Sequence, residues 1–328
     1  MSTYRELYTE GRNKLLAAGI DNAEGDARSL LLYASGMSLN QLLLSYEDEI
    51  GGTSTAAGVT DEDGYQGVQE KYLDMIDRRC AHVPLQYITH VQNFCGYDMY
   101  VDEHVLIPRQ DTEILVEKVL DKCRRREPES REDSGISGGS RQGYSVSGQK
   151  DVRTLLDLCT GSGCIAIALS LLGDFGEVYA SDISEGALEV ANYNAETNGA
   201  HVTFLKSDMF QGVDGDIKYD VIVSNPPYIP DAQVDALDEE VRNNEPRLAL
   251  AGDADGLYFY RKIAREAGGY LKDGGRLFLE IGCDQGEAVS MLLRDAQAYR
   301  GHYENIEITK DLAGLDRVIS AIWRRTDA

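Results

Sequence analysis

From residue 153 onward, short apolar runs alternate with stretches of helical spacing, and few folds are compatible with that alternation. The runs fall at 154–158, 177–181, 202–206, 219–224, 276–281 and 316–322. Each has the length of a strand, and most are separated by enough chain to carry a helix back across a sheet. Strands joined in this way lie parallel, and a parallel sheet needs helices on both faces. The expected architecture here is a doubly wound α/β sheet.

The chain before residue 109 has a different pattern. Tyr4, Leu7, Tyr8, Leu15 and Leu16 share one helical face, with Gly19 as a stop. Asp21 or Asn22 is the expected cap of a second helix that carries Leu30, Leu31 and Leu32 and ends near Gly36. A third, short helix would hold Leu39, Leu42, Leu43 and Leu44, a loop would span 48–66, and a further helix 68–80. Residues 84–108 alternate around turn signals, with Val101, Val105 and Ile107 as examples, and read as a hairpin. Residues 112–123 read as a helix with Val116, Val119, Leu120 and Cys123 on one side. Residues 124–152 are rich in Arg, Ser, Gly and Gln and read as a disordered insertion. The expected division is a helical domain at 1–83, a hairpin connector at 84–108 and an α/β domain at 109–328. The helical part carries no chemistry, so its role, if any, is recognition.

Charge and cysteine usage narrow the function. The formal net charge is −24, whereas a protein that grips phosphates over a long contact presents Lys and Arg to displace counterions. No direct nucleic-acid contact is therefore expected. The six cysteines form no C-x-x-C pair and the five histidines are scattered, so no zinc ligand set is expected. The N-terminus is charged at once, and no apolar run approaches the ~20 residues of a membrane span. These features lead to the expectation of a cytoplasmic protein with reduced thiols and no membrane contact, taken as a monomer by default.

The first strand runs into Leu158-Cys159-Thr160-Gly161-Ser162-Gly163, and a helix follows. Glycines at 161 and 163 let the backbone turn sharply and let a ligand come close. Asp182 follows the next strand, 21 residues after Gly161. A carboxylate there can accept from both hydroxyls of a ribose. Gly161-x-Gly163-x-x-Ala166 also fits a dinucleotide fingerprint. Asp157 favours S-adenosylmethionine, because an acid at the rim suits the ammonium of a methionine moiety and repels a pyrophosphate. Asp208, after the third strand, can accept from an adenine amine while Met209 covers the ring; its plain alternative is a helix N-cap. The candidate cofactor contacts are Asp157, Cys159, Thr160, Gly161, Ser162, Gly163, Asp182, Asp208, Met209 and Asn225.

The most informative stretch is Asn225-Pro226-Pro227-Tyr228, directly after the apolar strand 219–224. The prolines remove two N–H donors and leave their carbonyls as acceptors. The Asn225 side-chain oxygen and the Pro226 carbonyl can together hold both hydrogens of a planar NH₂ group. Tyr228 can pack on its face, and Pro227 completes the turn. An amide nitrogen is a poor nucleophile because its lone pair is delocalised. Two acceptors on its hydrogens enrich the nitrogen, aim the lone pair and stabilise the positive charge that develops. A Pro-rich turn without function is the plain alternative. Asn225, Pro226 and Tyr228 are the candidate catalytic residues, and Asn225, Pro226, Pro227 and Tyr228 the candidate substrate contacts.

The chain resembles the release-factor glutamine methyltransferases. The likeness runs through Ala18-Gly19-Ile20, Pro84-Leu85-Gln86-Tyr87-Ile88, Val105-Leu106-Ile107-Pro108-Arg109, the loop from Asp157 to Gly163, Asp182, Asp208 and Asn225-Pro226-Pro227-Tyr228. It continues through Glu245-Pro246-Arg247, Gly256-Leu257 and Glu280-Ile281-Gly282. Gln110-Asp111 departs from the Pro-Glu of that family while keeping the acid. The resemblance implies a seven-stranded, Rossmann-like sheet whose last strand is antiparallel, and a small N-terminal helical domain that recognises the substrate. It implies S-adenosylmethionine as cofactor. It also implies peptide chain release factors as partners, methylated on the glutamine of a Gly-Gly-Gln loop. The tetrapeptide alone is shared with adenine-specific DNA methyltransferases, so an exocyclic base amine is the alternative substrate. A non-catalytic S-adenosylmethionine-binding protein and an NAD enzyme are the other readings weighed.

Overall fold

The computed structural model describes residues 2–50, 62–123, 153–296 and 301–326. The expected insertion at 124–152 lies outside the described residues, as does most of the loop expected at 48–66. The described residues fall into two compact units. One is drawn from Met1–Gln92, Tyr100–Ile107 and Ala232–Arg247, the other from Asn93–Met99, Pro108–Asp231 and Leu248–Ala328.

The first unit is helical. Helix α1 (Tyr4–Ala17) opens with a capping box, in which Thr3 Oγ1 accepts the Glu6 N–H and the Glu6 carboxylate accepts the Thr3 N–H. Helix α2 (Ala23–Ser35) ends at Gly36 in the left-handed conformation. Asn22 stands at its N-cap position but makes no cap bond, because its amide turns to Asp26 instead. Helices α3 (Leu39–Leu44), α4 (Glu62–Cys80) and α5 (Leu85–Thr89) follow. Tyr4, Leu7, Leu15, Leu30, Leu31, Tyr72 and Ile76 form the core of the bundle. Leu16, expected on the buried face, is 55% exposed, because it is turned about 100° from Leu15 around the helix. Of the leucines of α3 only Leu42 is buried. Helix α4 starts at Glu62, inside the stretch expected as loop.

Arg79 of α4 crosses this unit. Its guanidinium meets Asp26 of α2 at 2.7 Å, with both side chains under a tenth exposed. It also meets Glu240 at 2.9 Å and donates to the Val83 carbonyl at 3.1 Å. Glu240 belongs to the later segment 232–247, where Asn244 likewise donates to the His82 carbonyl at 3.0 Å.

Residues 84–108 are not a single hairpin. Helix α5 comes first, and only β1 (Val91–Phe94) and β2 (Tyr97–Tyr100) pair. Leu85-Gln86-Tyr87-Ile88 alternates weakly enough to close one helical turn after Pro84, and Val101, Val105 and Ile107 lie beyond the second strand as buried loop residues. The Tyr87 hydroxyl secures this loop by donating to the Val105 carbonyl at 2.6 Å.

The second unit begins with helix α6 (Gln110–Cys123). Then come β3 (Thr154–Leu158), α7 (Cys164–Leu172), β4 (Glu177–Asp182), α8 (Glu185–Asn198), β5 (Thr203–Lys206) and β6 (Tyr219–Ser224). Short helices α9 (Asp231–Val234), α10 (Glu239–Asn244) and α11 (Arg247–Leu250) follow β6. The chain ends with α12 (Tyr258–Glu266), β7 (Leu271–Glu280), α13 (Gly286–Asp295), β8 (Gly301–Lys310) and β9 (Asp316–Arg325). The seven strands stand in the order β5-β4-β3-β6-β7-β9-β8. The run β5 to β7 is parallel, and β9 is antiparallel to both β7 and β8. The sequence pattern identified six of these strands. It missed β8, an edge strand that buries Tyr303 and alternates polar residues elsewhere, so it has no continuous apolar run.

Alternation along the strands divides the core in two. Leu156, Leu158, Ile222, Leu277 and Leu279 pack with Tyr260, Ile263, Val289 and Leu293 from α12 and α13. Leu155, Val221, Val223 and Phe278 pack with Leu115, Val116, Val119 and Ile165 from α6 and α7. Trp323 of β9 is fully buried. It packs edge-on to Tyr303 at 5.0 Å and lies where a side chain at Gly268 or Gly301 would have to be.

Asp26→Ala is expected to destabilise the protein by about 3–5 kcal/mol, because Arg79 stays buried without its closest counter-charge. Asp26→Leu with Arg79→Met should recover most of that loss. Urea unfolding of the three variants against the native chain measures both effects.

Candidate active site

The chain places β4 and β5 on one side of β3, then crosses to put β6 on the other. Loops that leave the carboxyl ends of strands at such a reversal diverge and open a crevice. The two motifs singled out from the sequence are the loops after β3 and β6. Ser224, the last residue of β6, ties them together by donating from Oγ to the Leu158 carbonyl at 2.7 Å.

The loop after β3 turns through Cys159, Gly161 and Gly163, all at positive φ. A side chain at Gly161 would meet nothing within 4 Å, so the space above this turn is open to a ligand. A Cβ at Gly163 would come within 3.0 Å of Ala191 Cβ, so this glycine lets α8 pack against the start of α7. Asn194 of α8 is fully buried and donates to the Ser162 carbonyl at 2.9 Å.

Asp157 lies beneath this loop and not at its rim, where the sequence reading put it. It is fully buried, and its Oδ2 accepts the Thr160 hydroxyl at 2.6 Å. Its Oδ1 has no partner. Burial raises its pKa to about 7, with Asp182 adding to the shift and the bonds from Thr160 and the Ala166 backbone opposing it.

Asp182 closes the other side of the loop. Its Oδ2 accepts the Gly161 N–H at 2.9 Å and its Oδ1 accepts the Ser184 N–H at 3.0 Å. Burial raises its pKa against those backbone bonds. Each carboxylate oxygen has a second lone pair, so Asp182 keeps acceptor capacity for the hydroxyls of a ribose.

Asp208 follows β5. No helix starts there, so the N-cap alternative falls; the chain makes a turn in which the Gln211 N–H bonds the Asp208 carbonyl. Its Oδ1 pairs with Lys262 at 2.8 Å and its Oδ2 takes the Gln211 amide at 3.2 Å. Met209 is buried in the left-handed conformation, and its sulfur lies 3.6 Å from that of Cys159. Two non-glycine residues held in this sparsely populated region, on adjoining loops, mark a constrained site.

Beyond β6, Pro226 and Pro227 are buried and Asn225 and Tyr228 half-buried. The register pairs Ser224 with Leu279, so Asn225 stands level with Glu280 one step further on. The Asn225 amide nitrogen donates to Thr112 Oγ1 of α6 at 3.3 Å, and both residues lie near enough to Glu280 to favour its charged form. The Asn225 oxygen is thereby left to face away from this buried pair. Burial raises the Glu280 pKa to about 7, with Thr112 and Arg317 opposing it. Tyr228 packs against the core, and burial pushes its hydroxyl pKa well up, so it stays neutral.

The tetrapeptide is backed by residues that the sequence reading did not single out as site residues. Gln285 donates to the Tyr228 carbonyl at 3.0 Å and accepts the Gly282 N–H at 2.9 Å. A Cβ at Gly252 would lie 2.8 Å from the Pro227 carbonyl, and one at Gly256 would lie 2.2 Å from that of Tyr228. Backbone therefore packs directly on backbone behind the motif. Thr112 and Glu280 left a signal in the sequence: each is a polar residue at an apolar position of its element, one turn before Val116 on α6 and at the inner end of an apolar strand.

Comparisons with known proteins agree in kind. Residues 145–254 match the family model "Methyltransferase small domain", and residues 6–57 match "PrmC N-terminal domain". The release factor glutamine methyltransferase of Moorella thermoacetica is 39% identical over 327 residues, covering 98% of this chain and 99% of its own. That of Geobacter sulfurreducens is 35% identical, with 97% of this chain and 95% of its own covered. That of Bacillus subtilis is 34% identical, with 98% of each covered.

The raised pKa of Asp157 gives a pH test. A carboxyl that titrates near 7 when folded and near 4 when unfolded favours folding below about pH 4, and that contribution is lost as pH rises to about 7. Asp157→Asn has no such loss. Its stability relative to the native chain is expected to climb between about pH 4 and pH 7, by no more than about 1.4 kcal/mol per pH unit. Unfolding of both proteins in parallel denaturant series across that range measures the difference, and a flat one contradicts the assignment.

Proposed function

The chain belongs to the release factor glutamine methyltransferases, and from that premise we propose that it methylates the side-chain amide of the glutamine in the Gly-Gly-Gln loop of peptide chain release factors. One observation carries the reading: the Asn225 carboxamide is anchored by its nitrogen to Thr112, beside Glu280, which leaves its oxygen as an outward acceptor next to the Pro226 carbonyl. Two acceptors side by side suit a planar NH₂ group.

The methyl donor is S-adenosylmethionine, which supplies a sulfonium methyl when bound. The residues of the loop after β3 fit it. Gly161 offers open backbone, and Asp182 at the end of β4 offers acceptor capacity to a ribose. Asp208 and Met209 would receive the adenine, with Lys262 holding the carboxylate in place. Asp157, with Thr160, fastens the turn that carries Cys159, Ser162 and Gly163. It acts on the ammonium end through its field, since no part of it is exposed.

Toward the substrate, Asn225 and Pro226 hold the two amide hydrogens, enrich the nitrogen and aim its lone pair at the methyl. The same acceptors stabilise the positive nitrogen as the new N–C bond forms. Pro227 and Tyr228 keep the loop in shape and close the apolar side of the slot. The helical domain of 1–83 would recognise the release factor. We place the enzyme in the cytoplasm as a monomer that contacts neither nucleic acid nor membrane. Its net charge of −24 and six free cysteines support this, and no helix among the described residues is long and apolar enough to cross a membrane.

Incubation with S-adenosylmethionine and a release factor should add one methyl to the glutamine of Gly-Gly-Gln, as read by peptide mass spectrometry; an oligonucleotide offered in its place should gain none. Asn225→Ala is expected to lower kcat by about 10²-fold or more while S-adenosylmethionine still binds. Loss of cofactor binding in that variant would sink the assigned role. Asp182→Ala should instead weaken S-adenosylmethionine by roughly 10- to 100-fold, as expected for lost bonds to a charged group, with calorimetry as the readout.

A further inference from the structure

We propose that Thr112 and Glu280 form a buried clamp that fixes which way round the Asn225 carboxamide stands, and that Glu280 is in this way a positioning residue for methyl transfer. The inference rests on the reading that Asn225 receives the substrate amide.

The two ends of a carboxamide have nearly the same shape, so packing alone does not choose between them; hydrogen-bond chemistry must. Thr112 is 1% exposed and Glu280 2% exposed, so water does not decide the matter. An ionised carboxylate can only accept. Thr112 Oγ1 accepts from the Asn225 nitrogen at 3.3 Å, so its one hydrogen is free to turn to the neighbouring carboxylate, whose charged form Thr112 favours. Asn225 likewise favours the charged form of Glu280, as an amide N–H turned toward a carboxylate does. Every link runs in one direction, from Asn225 nitrogen to Thr112 to Glu280. Rotating the carboxamide by half a turn would turn its oxygen toward the carboxylate side and break its bond to Thr112.

The direction depends on the charge. A protonated Glu280, or a glutamine there, can donate. The chain can then run backwards, with residue 280 donating to Thr112, Thr112 to the Asn225 oxygen, and the Asn225 NH₂ pointing outward. The Asn225 NH₂ would then face the NH₂ of the substrate and leave the Pro226 carbonyl as the one acceptor of the two that are needed. One oxygen of Glu280, Oε2, has no partner, which leaves a place for that proton.

The groups facing Glu280 come from every element packed on it. Arg317 of β9 and Asp111 of α6 pair with each other at 3.1 Å, and Arg317 also holds Asp311 at 3.0 Å. Among the described residues Tyr228, Cys164 of α7 and Tyr260 of α12 also face it, and the Tyr260 hydroxyl donates to the Glu280 backbone carbonyl at 2.9 Å. Of these groups Arg317 is the cation, and it is shared between two acids. The carboxyl consequently titrates at about 7, where a change of protonation matters to a working enzyme.

Three variants test the clamp: E280Q, T112V and T112S. E280Q and T112V should lower kcat about tenfold or more at pH 8 without changing the S-adenosylmethionine Kd, and T112S, which keeps the hydroxyl, should recover most of the loss. The native enzyme should gain kcat as pH rises through about 7, and E280Q should lack that limb. Independently of turnover, the Asn225 side-chain amide resonance, assigned by its loss in N225A, should shift with a midpoint near pH 7 in the native protein and stay flat in E280Q. An E280Q enzyme with native kcat and a native pH profile, or T112V indistinguishable from T112S, overturns the proposal. If E280Q does not fold, the threonine pair decides it. If the native enzyme leaves release factors unmethylated, the reading of the substrate falls, and the amide resonance still decides the clamp.

Discussion

The register of β3 between β4 and β6 is the constraint from which the site follows. Asp157 stands opposite Ala180 on one side and Val223 on the other, and Val223 stands opposite Phe278 of β7. Side chains two residues apart share a face, so Asp157, Asn225 and Glu280 all project toward the layer of α6 and α7. A slip of one residue in any of these pairings would send that side chain to the α12 and α13 layer. The reversal of strand order at β3 and β6 then opens the loops that carry Gly161 and Asn225 side by side.

This arrangement works against stability. Asp157 and Glu280 are carboxyls with almost no access to water, and each has an oxygen without a partner. Burial of that kind penalises the charged form, which is why both titrate near neutrality. Cys159 and Met209 add backbone conformations that side chains disfavour. The apolar layers on either face of the sheet offset these costs. Neutral residues at 157 and 280 would give a more comfortable core, and the proposed chemistry of the crevice is what asks for negative charge and acceptors there.

The helical unit depends on a buried ion pair in a similar way. Arg79 meets Asp26 of α2 and Glu240 of α10 at once, and α10 comes from the segment that follows the Asn225 motif in the chain. Residues 232–247 therefore belong to the helical unit, although they follow the Asn225 motif in the chain. A reading in linear order assigns that segment to the sheet, because ion pairs across such a distance leave no periodic trace.

Much of the molecule was legible beforehand. Short apolar runs with helical spacing between them determined the α/β class and six of the seven strands, and stop and cap signals placed the ends of α2 and α3, because these are local properties. The glycine loop and Asn225-Pro226-Pro227-Tyr228 were legible for the same reason: their chemistry lies in consecutive residues. The tertiary structure alone decided that Asp157 lies under its loop, that Asp208 pairs with Lys262, and that Thr112 meets Asn225, 113 residues away. Each of these depends on which polar groups are brought within 3 Å or so of one another once water is excluded. Sequence spacing carries no record of such a distance; strand register and helix packing set it.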